Sequence, residues 1–272
     1  MERAVFRQGA GRNSGLTLME EELDSRVDIL GVPVSATDPD NAVRRLLADV
    51  RSRRRTYVCV CSVHGIMECR RSAELTRIFL AAGMVAPDGM PLVWVARSRG
   101  FRTVGRVYGP DLMLNLMRAG ISSGLRHFLF GAGPGVAETA ARTLGERFPG
   151  LRVVGTESPL FGAAEDLADD ETARTINGTG ADVVWVGIST PKQERWMAAM
   201  RDRLEAPLLI GVGAAFDFHA GRVRQAPAWM QRSGLEWSFR LLMEPRRLWR
   251  RYLVNNSWFV WSLVVRRLRR RA

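Results

Sequence analysis

Short apolar runs alternate with longer stretches of helical periodicity over residues 55–213. Runs at 55–61, 84–87, 127–131, 151–155, 181–187 and 207–213 read as strands. Residues 66–82, 110–120, 136–148, 166–175 and 191–204 repeat their apolar positions with a helical period. Runs this short and this continuously apolar, set between helices of about three turns, describe parallel strands covered on both faces. The pattern predicts an α/β fold: a Rossmann-like, mostly parallel sheet with helices on both faces. From about residue 221 it changes: 233–243 is helical, Pro245 restarts a helix, and 246–261 continues it. Arg247, Arg250 and Arg251 then share a face, while the break at Pro245 frees Arg240 from that register. Three regions follow: a flexible polar arm over 1–26, a Rossmann-like domain over 27–221, and a helical basic appendage over 222–272.

Charge sharpens this division. The 272 residues carry a formal net charge of +12, and 222–272 holds thirteen arginines against two glutamates, so the body is close to neutral. The same segment carries Trp229, Trp237, Trp249, Trp258 and Trp261. Arginine mixed with tryptophan suits an anionic membrane surface or a phosphorylated ligand. No run reaches the roughly 20 apolar residues that span a bilayer, and the first residues lack the apolar core of a signal peptide. A cytoplasmic protein that touches a membrane without crossing it is the expectation. Cys59 and Cys61 alternate onto one strand face with Cys69 nearby, which fits small buried hydrophobes better than a disulfide. The histidines, His64, His127 and His219, complete no zinc pattern with them.

Ligands of doubly wound sheets bind beyond the carboxyl ends of the strands, and polar punctuation falls there. Ser62-Val63-His64, Pro87-Asp88-Gly89, Gly131-Ala132-Gly133-Pro134-Gly135, Ser189-Thr190-Pro191-Lys192-Gln193 and Ala214-Ala215-Phe216-Asp217 place five loops on one rim. Gly131 and Gly133 suit either a backbone approach to a phosphate or sugar, or a tight turn into a helix. Asp88 fits a general base on a sugar hydroxyl, or a turn-forming Asp-Gly pair. Asp217 fits a sugar or ribose contact, or a cap. Gln193 offers a donor and an acceptor at a helix start, where Glu194 complements the helix dipole. His64 stands at a strand end as a site residue or a structural one. Arg106 meets a phosphate or only solvent.

Six segments carry a resemblance: APDGMPLVW, RVYGPDLM, VVWVGISTPKQERWM, GVGAAFDFHAG, QAPAWMQRSGLEWSFRL and EPRRLWRRY. Together, from about Val27 to Tyr252, the chain resembles the WecG/TagA/CpsF family of bacterial glycosyltransferases. The resemblance implies an inverting, metal- and cofactor-independent transfer from a UDP-sugar donor to an undecaprenyl-diphosphate-linked glycan. That work takes place peripherally, at the cytoplasmic face of the bacterial inner membrane, in exopolysaccharide, capsule or cell-wall polymer synthesis. Residue by residue, it implies Asp88 as catalytic base, Gln193, Asp217 and Arg106 at the substrate site, and Arg240, Arg247 and Arg250 near the donor diphosphate. Where the family often has Thr-x-Asn, this chain has Ser62-Val63-His64, so Ser62 supplies the hydroxyl and His64 becomes a titratable assistant to Asp88. Two other classes stand beside this reading: a non-catalytic nucleotide-sugar-binding or assembly protein at the membrane, and a nucleic-acid binder using the basic tail, for which no recognised motif is present.

Overall fold

The computed structural model describes residues 25–159, 162–164 and 166–269, apart from the side chains of Ala228, Arg232, Arg247 and Arg251. The arm expected over 1–26 lies outside the described residues as far as residue 24. Arg26 already opens strand β1 (Arg26–Ile29), which pairs antiparallel with β2 (Val32–Ser35). Leu30 and Gly31 turn this hairpin with φ of 54° and 97°, the left-handed pair that a two-residue hairpin turn requires. Val27 and Ile29 face inward while Asp28 is exposed.

The body is a six-stranded parallel sheet in the order β4-β3-β8-β7-β5-β6. Its strands are β3 (Thr56–Cys61), β4 (Met84–Pro87), β5 (Arg126–Gly131), β6 (Arg152–Glu157), β7 (Val183–Gly187) and β8 (Leu208–Gly211). All five pairings are parallel, as continuous apolar runs demand. Outside the strands the body forms α1 (Pro39–Arg51), α2 (Val63–Arg71), α3 (Ala73–Ala81), α4 (Met90–Ser98), α5 (Gly109–Gly120), α6 (Val136–Arg147), α7 (Asp170–Gly178), α8 (Lys192–Met200) and, after β8, α9 (Ala215–His219). Two apolar clusters cover the sheet, one on each face. Tyr57, Cys59 and Cys61 of β3 enter one with the hairpin and α2 to α4; Val58 enters the other with α1, α5 and α6. All three cysteines are free and buried.

Helix boundaries differ from the periodic pattern where a polar side chain intervenes. The single helix expected over 66–82 is two. Ser72 is extended (φ −135°, ψ 113°), ends α2, and accepts the Leu75 N–H through its side chain to start α3. The helix expected over 166–175 begins instead at Asp170, because Asp169 accepts the Thr172 N–H and caps it there. Asp38 likewise caps α1, with Pro39 in its first turn.

The C-terminal segment forms α10 (Ala228–Arg232), α11 (Glu236–Met243), α12 (Pro245–Trp249), a π-helical turn (Arg250–Val254) and α13 (Asn255–Arg269). Gly234 separates α10 from α11 with φ +73°, and a Cβ there would lie 3.0 Å from the Trp94 ring and 3.1 Å from Met90 Cβ. Only glycine suits both the backbone and this close approach. Phe259 of α13 is 2% exposed and joins the core cluster on the hairpin side.

Candidate active site

One cavity of about 600 Å³ opens at the carboxyl edge of the sheet. All five strand-end loops reach it: Ser62 from β3, Asp88 from β4, Ala132 and Gly133 from β5, 187–193 from β7, and 212–214 with Asp217 from β8. Arg240 of α11 and Leu248 of α12 close it from the appendage. The wall therefore carries Asp88, Asp217, Lys192 and Arg240, two charges of each sign.

Asp88 follows β4 directly, and its N–H donates to Cys61 O at 2.9 Å, which ties the loop to the next strand. The Val107 N–H donates to Pro87 O at 2.8 Å, drawing 106–108 across the strand end. Arg106 thereby reaches Asp88: Nε donates to its carbonyl, and the outer guanidinium nitrogen lies 3.5 Å from Oδ1. That nitrogen also donates to Glu236 of α11, and the guanidinium stacks on the Tyr108 ring at 4.2 Å. Burial raises the Asp88 carboxyl to about 6, opposed by Arg106 and reinforced by Glu236. A carboxylate poised there is deprotonated at neutral pH yet far more basic than an ordinary one, which suits a general base. Burial, helped by the Glu236 and Asp88 charges, keeps the Tyr108 phenol protonated on the cavity wall.

Gln193 lines the cavity but is only 2% exposed. Its Oε1 accepts the Gly213 N–H at 3.0 Å and its Nε2 donates to Glu194 Oε1 at 3.1 Å, so it braces the loops after β7 and β8. Glu194, expected to serve the helix dipole, is fully buried and also accepts from Thr190 at 2.9 Å. Ser189 beside them has φ +70°, a conformation that a non-glycine residue holds only where surrounding structure fixes it. Lys192, the chain's single lysine, donates to Gly162 O at 2.6 Å with its ammonium at the cavity. Ser62 caps α2 without a side-chain capping bond.

Other expected residues stand elsewhere. Gly131 packs against β7 rather than lining the cavity: at φ +125°, a Cβ would lie 2.7 Å from the Gly187 backbone. His64 is not among the lining residues. It falls in the first turn of α2, and its Nδ1 lies 3.0 Å from Asn255 Nδ2 of α13 and 3.6 Å from Glu68. Arg250 stacks on Trp249 at 5.2 Å, is exposed and does not line the cavity. The Arg247 side chain lies outside the described residues. Among the arginines expected at a diphosphate, Arg240 is thus the one seen at the cavity, resting on the Phe218 ring at 5.6 Å. Sequence reasoning missed Glu236, Tyr108, Lys192 and Leu248 as site residues. The Glu236/Arg240 spacing of one helical turn was the available signal for the first.

No group of three His, Cys, Asp or Glu among the described residues is placed to hold a metal ion. No helix among them is long and apolar enough to cross a membrane. Helix α13 leaves Trp258, Val260, Trp261, Val264 and Leu268 exposed. With Arg70 and Leu30-Gly31, its Trp258, Trp261, Arg266 and Arg269 border a second cavity of about 490 Å³.

The sequence matches the family described as "Glycosyl transferase WecG/TagA/CpsF family" over residues 27–272. It is similar to the N-acetylglucosaminyldiphosphoundecaprenol N-acetyl-beta-D-mannosaminyltransferase of Bacillus subtilis (strain 168), 29% identical over 178 residues, or 65% of this chain and 66% of that protein. The enzyme of the same description from Bacillus spizizenii is 29% identical over 186 residues, 68% of this chain and 70% of that one. The matched segment thus spans about two thirds of the length of these relatives.

Proposed function

Because the chain belongs to the WecG/TagA/CpsF family of glycosyl transferases, we propose that it moves a sugar from a UDP-sugar to an undecaprenyl-diphosphate-linked glycan in cell-envelope polymer synthesis. N-acetylmannosamine, the sugar in the relatives' descriptions, is the first donor to try. The observation that carries the reading is the pairing of a carboxylate raised to about 6 with the cations Lys192 and Arg240 in one 600 Å³ cavity.

In the proposed step the acceptor hydroxyl oxygen attacks the anomeric carbon and forms the new glycosidic bond. The bond from that carbon to the diphosphate oxygen breaks, its electron pair leaves with UDP, and the hydroxyl proton passes to Asp88. Configuration inverts because a single displacement occurs. Arg240 and Lys192 meet the charge that grows on the diphosphate, and fixed charges of this kind are commonly the largest catalytic contribution. Ser62 and Asp217 border the sugar and ribose hydroxyls, with Gln193 holding the loops around them. His64 takes no part in this scheme.

The body over 27–221 supplies the base and the appendage over 222–272 closes the site. We place the exposed tryptophans of α13, with the exposed Arg267 and Arg269, against anionic headgroups on the cytoplasmic side of the membrane, while Arg266 pairs with Asp28 of the hairpin. Arg270 and Arg271, part of the same basic cluster in sequence, lie outside the described residues. The test is a UDP-sugar panel with prenyl-diphosphate-linked N-acetylglucosamine as acceptor, read by the mass of the product lipid. A product heavier by one sugar residue from one donor supports the reading. No product from any donor, with a native lipid extract included, would overturn it.

A further inference from the structure

Arg106 is shared between two carboxylates that lie far apart in sequence. Its Nε donates to the Asp88 carbonyl, and its outer nitrogen faces both Asp88 Oδ1, at 3.5 Å, and Glu236. Its position over Tyr108 fixes the plane of the fork. The Arg106 and Glu236 side chains are 16% and 12% exposed, so their mutual attraction is only partly screened by solvent. Glu236 opens α11, and Arg240, one turn later on that helix, lines the cavity. Seating α11 therefore delivers a cation to the cavity and a carboxylate to Arg106 together.

With Glu236 absent, the Arg106 guanidinium is left to the carboxylate of Asp88. A full ion pair there would hold Asp88 ionised but make it a poor proton acceptor. We propose that Glu236 is a positioning residue that keeps Arg106 from closing fully on the Asp88 carboxylate, so that seating of the C-terminal helices completes the base. This rests on the proposed role of Asp88 and adds to it a dependence on the appendage. The charged and titratable groups around Asp88 act in the directions the proposal requires. Arg106 and Arg240 favour its ionised form and Glu236 disfavours it, while Tyr108, on the segment after β4, stays neutral. The Cys61 thiol behind the loop is pushed up by burial and stays protonated. Asp111 in α5, raised by burial, feels the same Arg106 and Glu236 charges.

The experiment uses the full chain with ¹³C-labelled aspartate. The Asp88 carboxyl signal, assigned by its loss in Asp88→Asn, is titrated in the wild type, Glu236→Gln and Glu236→Asp. A midpoint near 6 in the wild type that falls by about half a pH unit or more in Glu236→Gln, and returns toward 6 in Glu236→Asp, supports the proposal. An unchanged midpoint in a folded Glu236→Gln overturns it. Turnover of UDP-N-acetylmannosamine with a short prenyl-diphosphate-N-acetylglucosamine is measured in parallel. Glu236→Gln should lose about tenfold or more in kcat with donor KM little changed, and the acid limb of its pH profile should move to lower pH. A change in KM alone counts against the proposal. A wild type that titrates as described but makes no product separates the two ideas: the function fails while the charge arrangement stands. Should Glu236→Gln not fold, Glu236→Ala, which also removes the carboxylate, carries the test by the same two readouts, an unchanged midpoint and kcat being the overturning result.

Discussion

At the residue scale, Asp88 carries the sharpest expectations. Asp88→Asn should reduce turnover to background while leaving the circular dichroism spectrum unchanged, and near-normal turnover would remove it as the base. Its titration also predicts a stability effect of definite sign. The folded chain holds the Asp88 proton more tightly than the unfolded chain, with a carboxyl at about 6 against 3.8. That contribution is complete below the unfolded value and is lost as pH rises through about 6. Asp88→Asn escapes the loss. With a quarter of the side chain open to the cavity, the variant should exceed wild type by about 1–2 kcal/mol at pH 8, and the gap should close toward pH 4. Denaturant melts at the two pH values check this; equal gaps at both would argue against a raised carboxyl. The positions of Asp88, Gln193 and Asp217 were legible because strand ends in parallel sheets converge on one edge. The direction of a first-turn side chain was not, so His64, read as a site residue, turns instead to Asn255. Glu236 was hidden for another reason: its partner lies 130 residues away, a separation that no local pattern encodes.

At the element scale, strand periodicity carried nearly the whole sheet, because a strand buried on both faces writes itself as a continuous apolar run. Helix boundaries were less legible. A single serine or aspartate side chain that captures a backbone N–H sets them, as Ser72 and Asp169 do. The hairpin at 26–35 carries only two short alternating runs around Leu30-Gly31 and was not read. The appendage depends on two such local devices. Gly234→Ala would place a methyl 3.0 Å from the Trp94 ring on a backbone at φ +73°, costing about 1–3 kcal/mol. We expect α11 to unseat and turnover to fall at least tenfold, with faster proteolysis confined to the C-terminal segment. Further along, Asn255 joins α13 to α2, taking a hydrogen bond from Arg71 at 2.8 Å and facing His64 at 3.0 Å. Phe259 fills the core one turn on. Phe259→Ala removes a fully buried ring, worth about 3–5 kcal/mol. Deuterium exchange should then rise through α13 while the sheet stays protected; uniform protection would show that α13 is held by other contacts.

For the whole molecule, the proposed division of the positive charge between the cavity and a membrane surface can be tested by separating the two. Arg240 faces the cavity, so Arg240→Ala should lower kcat by about 10²–10³ without changing vesicle binding. Trp258 and Trp261 are 52% and 64% exposed on α13, and Arg269 beside them is exposed as well. Each exposed ring that enters a headgroup layer contributes roughly 1–2 kcal/mol, and each nearby arginine about 1 kcal/mol on an anionic surface. Replacing both tryptophans with alanine should therefore weaken binding to phosphatidylglycerol-rich vesicles by about tenfold or more. Transfer to a short-chain, water-soluble acceptor should persist. Replacing Arg267 and Arg269 with glutamine should lower affinity for the same vesicles and flatten its dependence on salt, while leaving the weaker binding to neutral phosphatidylcholine vesicles unchanged. Co-sedimentation at two ionic strengths distinguishes the aromatic from the ionic part. Loss of soluble-acceptor turnover in the tryptophan variant would instead place α13 within the catalytic unit, beside the α11 and α12 residues that line the cavity, rather than in a separate membrane contact.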